Sequence, residues 1–218
     1  MEEVNLLANY PKTKRNLEAA AQERTDYERQ IARKFDKDFF DGERRFGYGG
    51  YTYNNKYWTT VVKDFFKYYK LKEDAKILDV GCGKGFMLYD FKVNYPKLNL
   101  KGIDISKYAI SNAIDKIKEN LLVASCAEIP FPDNYFDLVI SINTIHNLNI
   151  EGCAKSLKEI CRVSNKYKFI VVDAYSNKNE KKRMFSWNLT AKTIMHKTEW
   201  VEFFKKNNYD GDYYWFTP

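Results

Sequence analysis

Residues Ile77-Leu78-Asp79-Val80-Gly81-Cys82-Gly83-Lys84-Gly85 constrain this chain more than any other stretch, because an apolar strand there runs into a glycine-rich turn that opens a helix. Glycines at 81, 83 and 85 let a backbone approach a ligand closely, and Asp79 puts a carboxylate where a cationic cofactor would lie. A dinucleotide fingerprint, G-x-G-x-x-G, would require glycine at position 86, where Phe86 stands, and an acidic strand end does not invite a pyrophosphate. A second strand, Leu100-Lys101-Gly102-Ile103-Asp104, ends in an acid 19 residues after Gly85. That is the distance at which a nucleotide-binding βαβ unit places the carboxylate that accepts two ribose hydroxyls, with Ile105 beside it. Taken alone, the glycines are consistent with a plain turn, and Asp104 with a cap for a helix starting near Lys107. In this order and spacing they specify a nucleotide-type cofactor site.

The 218 residues suffice for one domain with a substantial core. A 44% hydrophobic and 17% aromatic content excludes wholesale disorder, and no apolar run approaches the roughly 20 residues of a membrane span. The start, Met1-Glu2-Glu3-Val4, lacks the basic and apolar regions of a secretory signal, so a cytoplasmic location is expected. Cys82, Cys126, Cys153 and Cys161 form no C-x-x-C pair and have no histidine at ligand spacing, which predicts reduced thiols and no metal. The net charge of +7 is spread over lysines interleaved with acids, as on solvated faces, so it argues against a nucleic-acid partner. A mildly basic pocket rim for a phosphorylated small molecule fits it equally well.

Along the chain, residues 15–40 read as a polar helix ending before Asp41-Gly42, and 44–53 as an ordered loop rich in glycine and aromatics. A helix from Lys56 to Tyr69 leads to the glycine turn. Strands at 76–80, 100–104, 120–124, 136–142 and 167–173 then alternate with apolar helical stripes at 86–91, 108–117 and 153–161, the signature of an α/β fold with a parallel sheet. Residues 183–206 read as helical, and Tyr213-Tyr214-Trp215-Phe216 as a last strand that can run antiparallel.

The turn G-x-G-x-G after an acidic strand end resembles motif I of the class I S-adenosylmethionine (SAM) methyltransferases. Residues 127–137, Ala127-Glu128-Ile129-Pro130-Phe131-Pro132-Asp133-Asn134-Tyr135-Phe136-Asp137, resemble the same family's A-E-x-L-P-F-P-D-x-S-F-D segment. The resemblance covers about 57–218 and implies a Rossmann-like seven-stranded methyltransferase sheet, preceded by an N-terminal helical cap and lid loop over 1–56. It implies SAM as cofactor, held by Asp79, Gly81, Cys82, Gly83, Gly85, Asp104 and Ile105. Cys126, Ala127 and Glu128 would border the adenine, and Ser141 and Asn143 would lie beside the transferred methyl. Cys126 departs from the aspartate of many relatives, and a thiol is a poor acceptor for the adenine amine. The segment 141–147 lacks the Asn/Asp-Pro-Pro-Tyr/Phe tetrad of enzymes that methylate nucleobase amines. A narrower resemblance to bacterial methyltransferases associated with surface-polysaccharide biosynthesis implies a glycan-precursor acceptor.

Methyl transfer from a sulfonium is an in-line displacement that needs positioning and desolvation. An alcohol acceptor must also lose a proton, for which His146, following strand four at the carboxyl edge of the sheet, is the expected base. The competing role for His146 is a hydrogen bond to the backbone, and His196 reads as a helix-entry residue. Asp173 and Tyr175 reach the same edge. Arg45, Tyr48, Tyr51 and Tyr53 belong to the candidate lid, and Trp187 and Tyr214 are candidates to complete the acceptor pocket. The expectation is methyl transfer to a hydroxyl or phosphate-type oxygen of a small sugar- or nucleotide-linked molecule. The alternatives are an N-methyltransferase on an amine or RNA, or a SAM-binding protein without transfer; a nicotinamide oxidoreductase is disfavoured by Phe86.

Overall fold

A computed structural model of the protein describes residues 1–11 and 24–217. Seven strands form the sheet: β1 (Lys76–Val80), β2 (Asn99–Asp104), β3 (Leu121–Val123), β4 (Phe136–Ile142), β5 (Ser164–Tyr175), β6 (Met195–His196) and β7 (Asp212–Phe216). Their order is β3-β2-β1-β4-β5-β6, with β7 pairing β5 over Phe169–Asp173 just before the β6 contact at Ala174 and Tyr175. All pairings are parallel. The strand order reverses between β1 and β4, so the carboxyl ends of these two strands open a crevice at the switch point.

Burial on both faces explains the near-continuous apolar strands. In β1, Ile77 packs with Val61, Val62, Phe65, Phe91 and Phe169, while Leu78 and Val80 pack with Leu157, Ile160, Trp200 and Phe204 on the opposite face. The first face is covered by α3 (Asn55–Tyr68) and α4 (Phe86–Asn94), the second by α7 (Ile150–Val163) and α9 (Lys197–Lys206). Residues Val4, Leu6 and Leu7 join the first face, and Val4 N–H donates to the Tyr213 carbonyl, so the first residues run beside β7 and belong with the sheet, outside the cap.

The structure corrects four expectations. The last strand is parallel, because α9 carries the chain back to the amino edge of the sheet before β7 starts. The helix over 183–206 is two: α8 (Lys178–Trp187) ends where the Asn188 side chain accepts from Ala191 N and donates to Ala191 O. His196 then accepts from Thr198 N at the start of α9, a helix-entry role as read from the sequence. The stripe at 108–117 divides into α5 (Lys107–Ser111) and α6 (Asp115–Lys118). Of the expected helix at 15–40, residues 15–23 lie outside the described residues. The remainder is α1 (Asp26–Ala32) and α2 (Lys37–Asp41), separated at Phe35, which takes φ 51° before Asp36 caps α2.

The cap is tied to the sheet domain at both ends. Arg29 and Arg33 donate to the carbonyls of Asn188, Thr190 and Ala191, while Asp41 reaches the glycine turn. Lys192 and Thr193 N–H groups continue this linkage to the His146 carbonyl. The cap thus crosses the carboxyl edge of the sheet.

Trp200 is fully buried, with its indole N–H donating to the Asp173 carbonyl at 2.9 Å. Trp200→Ala should cost about 3–5 kcal/mol in urea unfolding, and Trp200→Phe appreciably less, because the phenyl ring refills most of the cavity.

Candidate active site

The glycine turn has the backbone its sequence demands: Gly81, Gly83 and Gly85 adopt φ of 87°, 54° and 77°. At Gly81 a Cβ would overlap the Thr144 side chain, so the turn and the segment after β4 are in direct contact. Four of the turn's N–H groups are spent within the protein. Gly81 and Cys82 donate to the Ile103 carbonyl (2.8 and 3.0 Å), Gly83 to Asp104 Oδ2 (2.8 Å) and Gly85 to the Cys82 carbonyl (2.9 Å). A phosphate-binding loop presents such donors to its ligand. This one turns three of them, from Gly81, Cys82 and Gly83, onto β2.

Asp104 receives a second amide bond, from Ser106 N to Oδ1 at 2.8 Å. Each carboxylate oxygen is therefore oriented by one N–H and retains a lone pair for a hydroxyl. Ile105 beside it is 57% exposed, an apolar surface adjoining that carboxylate. Ser106, rather than Asp104, caps α5 by accepting from Ala109 N. Asp79 is buried, and burial, followed by the charge of Asp104, pushes its carboxyl up to about 8. Cys82 Sγ lies against Gly102 in the core and donates to the Gly83 carbonyl at 3.8 Å, so this predicted cofactor residue turns its side chain inward.

Near the adenine position implied by the resemblance, Cys126 Sγ accepts a 3.3 Å bond from Ser156 Oγ. Burial raises this thiol, with Asp104 contributing, which puts the sulfur within electrostatic reach of that carboxylate. Ala127 N donates to Ser125 Oγ, and Glu128 is exposed. The following segment is held by Arg162, which donates to the carbonyls of Ile129 and Phe131 and pairs with Asp133 and Glu159. Across the switch point, Ser141 Oγ is buried without a hydrogen-bond partner, as a side chain awaiting a ligand would be. Asn143 is exposed and left-handed at φ 53°, its N–H spent on the Val171 carbonyl.

His146 does not have the geometry of a general base. Its Nδ1 accepts from the Asp173 backbone N–H at 2.9 Å, which leaves the proton of the neutral ring on Nε2. The lone pair a base would use is thus occupied. Burial lowers its pKa against the pull of Asp173, whose Oδ1 lies 3.7 Å from Nδ1, and the ring is only 3% exposed. Asp173 is raised by burial, with His146 opposing. His146 therefore fastens the segment after β4 to β5, and Asp173 is the titratable group left at that strand end.

The lid residues separate into two sets. Tyr51 stacks on Phe86 (4.6 Å) and Tyr48 (4.3 Å), and its ring carbon would lie 3.4 Å from a Cβ on Gly83. Burial raises the Tyr51 phenol, with Tyr48, Tyr10, Asp79 and Asp104 adding to it, so it stays protonated over the carboxylates. Tyr53 points elsewhere, donating to Asp90 on α4 (2.8 Å). Arg45 is unavailable for an acceptor, being paired with Glu28 (3.7 Å) and Glu43 (3.1 Å). Tyr175 lies edge-on to His196 with Lys181 over its ring, and Trp187 packs against Phe216. Tyr214, paired with Val171, packs onto the core of the first face. The sequence reading missed Lys84, Asp41 and Tyr108, which join the cap to the turn; a lysine enclosed by two turn glycines was its one visible sign.

Residues 78–172 match the family model described as a methyltransferase domain. The chain is similar to a sterol 24-C-methyltransferase of Gibberella zeae, 25% identical over 195 residues that cover 79% of this chain and 50% of that one. It spans between a third and a half of the length of the first curated relatives it matches. Among solved structures, phosphoethanolamine N-methyltransferase 2 of Haemonchus contortus, in complex with phosphomonomethylethanolamine and S-adenosylhomocysteine, superimposes with TM-score 0.57. It is 18% identical, and the match covers 81% of this chain and 44% of that one. The [4+2]-cyclase SpnF superimposes with TM-score 0.56 at 17% identity, covering 68% and 56%. These likenesses establish the Rossmann-like methyltransferase fold. Among the described residues, no helix is long and apolar enough to cross a membrane.

Asp79 makes stability depend on pH. Its folded pKa of about 8 lies above the ordinary 3.8, so between those values the folded state holds a proton that the unfolded state lacks. That contribution is fully present below the ordinary value and is lost as pH rises towards 8. Urea midpoints at pH 5 and pH 8 should differ more for the wild type than for Asp79→Asn, and equal differences would refute the assignment.

Proposed function

We propose, from the methyltransferase domain at 78–172, that the protein is a SAM-dependent methyltransferase acting on a small polar acceptor. The observation that carries this reading is Asp104, oriented by Gly83 N and Ser106 N for a ribose and flanked by exposed Ile105, beside a turn whose Gly81, Cys82, Gly83 and Gly85 N–H groups are used within the protein and so do not cradle a pyrophosphate. The orphaned Ser141 hydroxyl and the buried Asp79 carboxyl suit the polar and cationic parts of the same cofactor. Bound SAM supplies an electrophilic methyl carbon on sulfur. Asp104 binds the ribose, Asp79 faces the cationic part, and Tyr51 excludes water above the turn.

The preferred acceptor is a hydroxyl oxygen, as on a sugar of a surface-glycan precursor. Its proton would pass to the Asp173 carboxylate, whose raised affinity for protons suits the task. The charge pattern argues for an uncharged reacting part and against a phosphate oxygen. Each described arginine of the cap (Arg24, Arg29, Arg33, Arg44 and Arg45) is engaged with a protein carbonyl or carboxylate, whereas Asp79, Asp104 and Asp173 line the strand ends. The same acidic edge supports an amine acceptor as the second reading. The fold shared with a cyclase keeps a third in play, SAM binding without transfer.

Calorimetric titration with SAM, S-adenosylhomocysteine and NAD should show micromolar binding of the adenosyl ligands alone, weakened at least tenfold by Asp104→Ala. No adenosyl binding would overturn the reading. With an acceptor in hand, Asp173→Asn should lower kcat by about 100-fold or more at unchanged SAM affinity for a hydroxyl acceptor, the usual scale for losing a general base. For an amine acceptor, raising the pH should restore most of the rate.

A further inference from the structure

Lys84 lies inside the cofactor turn yet points away from it. It is 7% exposed, and its ammonium donates to Asp41 Oδ2 (2.6 Å), Asp41 Oδ1 (2.9 Å) and the Tyr51 carbonyl (2.9 Å), which uses all three of its protons. Asp41 in turn accepts from Tyr51 N (2.9 Å) and from the Tyr108 hydroxyl (2.7 Å). One carboxylate therefore joins the end of α2, the lid loop, the glycine turn and α5. Among the described residues this is the one ion pair connecting the cap with the sheet domain, since the pairs of Arg29 and Arg45 stay within the cap. Burial opposes the charge on Asp41, but the bonds from Lys84, Tyr51 and Tyr108 hold its carboxyl below the ordinary range, so Asp41 stays ionised at neutral pH.

Tyr51 is held from both sides by this arrangement. Its backbone N–H and carbonyl are bound to Asp41 and Lys84, and its ring lies between Tyr48 and Phe86 above Gly83. The two backbone bonds thus fix the base of the side chain whose ring covers the turn at Gly83.

We propose that the Lys84–Asp41 pair is a latch that positions Tyr51 over the cofactor turn, so that exchange of the adenosyl ligand requires the pair to open. Lys84 and Asp41 act through Tyr51 and are positioning residues. The inference rests on the adenosyl reading of the turn, and a latch predicts faster traffic in both directions, whereas a lost contact to the ligand would speed departure alone.

Stopped-flow fluorescence with S-adenosylhomocysteine should show that Asp41→Asn and Lys84→Met each raise the association and dissociation rates at least tenfold. The double variant should exceed neither single by more than about twofold, because both remove one pair. Hydrogen exchange over residues 41–53 gives a readout without ligand, and Asp41→Asn should speed it there while β1 and β4 stay protected. Wild-type rates in the variants, additive effects in the double variant, or unchanged exchange at 41–53 would each overturn the latch. A wild type that binds no S-adenosylhomocysteine, with exchange at 41–53 still sped by Asp41→Asn, would instead overturn the cofactor reading and leave the mechanical role of the pair in place.

Discussion

The carboxyl edge of this sheet is organised by the bonding between the end of β2 and the turn after β1. The Ile103 carbonyl accepts from two successive turn amides, and the Asp104 side chain accepts from a third. β2 thus continues the ladder past the end of β1, and this forces the turn into left-handed angles at Gly81, Gly83 and Gly85. It also orients the Asp104 carboxylate. The orientation of that carboxylate and the turn geometry are one constraint, and Thr144, the cap and α4 all pack on the surface it creates.

How far this was legible depends on the range of the interaction. Strands β1, β2 and β4 were read within a residue or two of their ends, because double-sided burial writes a continuous apolar run into the sequence. The turn and Asp104 were equally legible, their spacing being a local consequence of the βαβ unit. The direction of β7 was not, since the residues of a strand do not encode which way the chain returns to it. Nor were the breaks at Phe35, where a residue with no breaking signal takes a positive φ, and at Asn188, whose side chain closes on Ala191 while its carbonyl is held by Arg29 from the far end of the chain.

His146 illustrates the same limit at the site. Its position after β4 is what a base would have, and the sequence carries no sign that a backbone amide 27 residues later would occupy its Nδ1. Arg45 is the parallel case, a guanidinium in a lid loop that is taken up by two acids of the cap. In both, the residue type was right for chemistry and a hydrogen-bond partner settled otherwise. Residue type and position nominate a group, whereas the occupancy of its lone pairs and protons decides what it is able to do.

The all-parallel sheet has an electrostatic corollary. A helix that follows a parallel strand starts at the carboxyl edge of the sheet, so the amino ends of α4, α7 and α8 share that edge with Asp79, Asp104 and Asp173. Each brings roughly half a positive charge from its macrodipole, worth about 0.3–1 kcal/mol to a nearby anion. Burial outweighs that background and raises all three carboxyls above their ordinary range, which limits the negative charge at the edge before any cation arrives. In the proposed reaction the sulfonium leaves as a neutral thioether, so the positive charge that Asp79 would face is gone after transfer. Under that proposal the spent cofactor is less tightly held by charge than the fresh one, which favours exchanging one for the other.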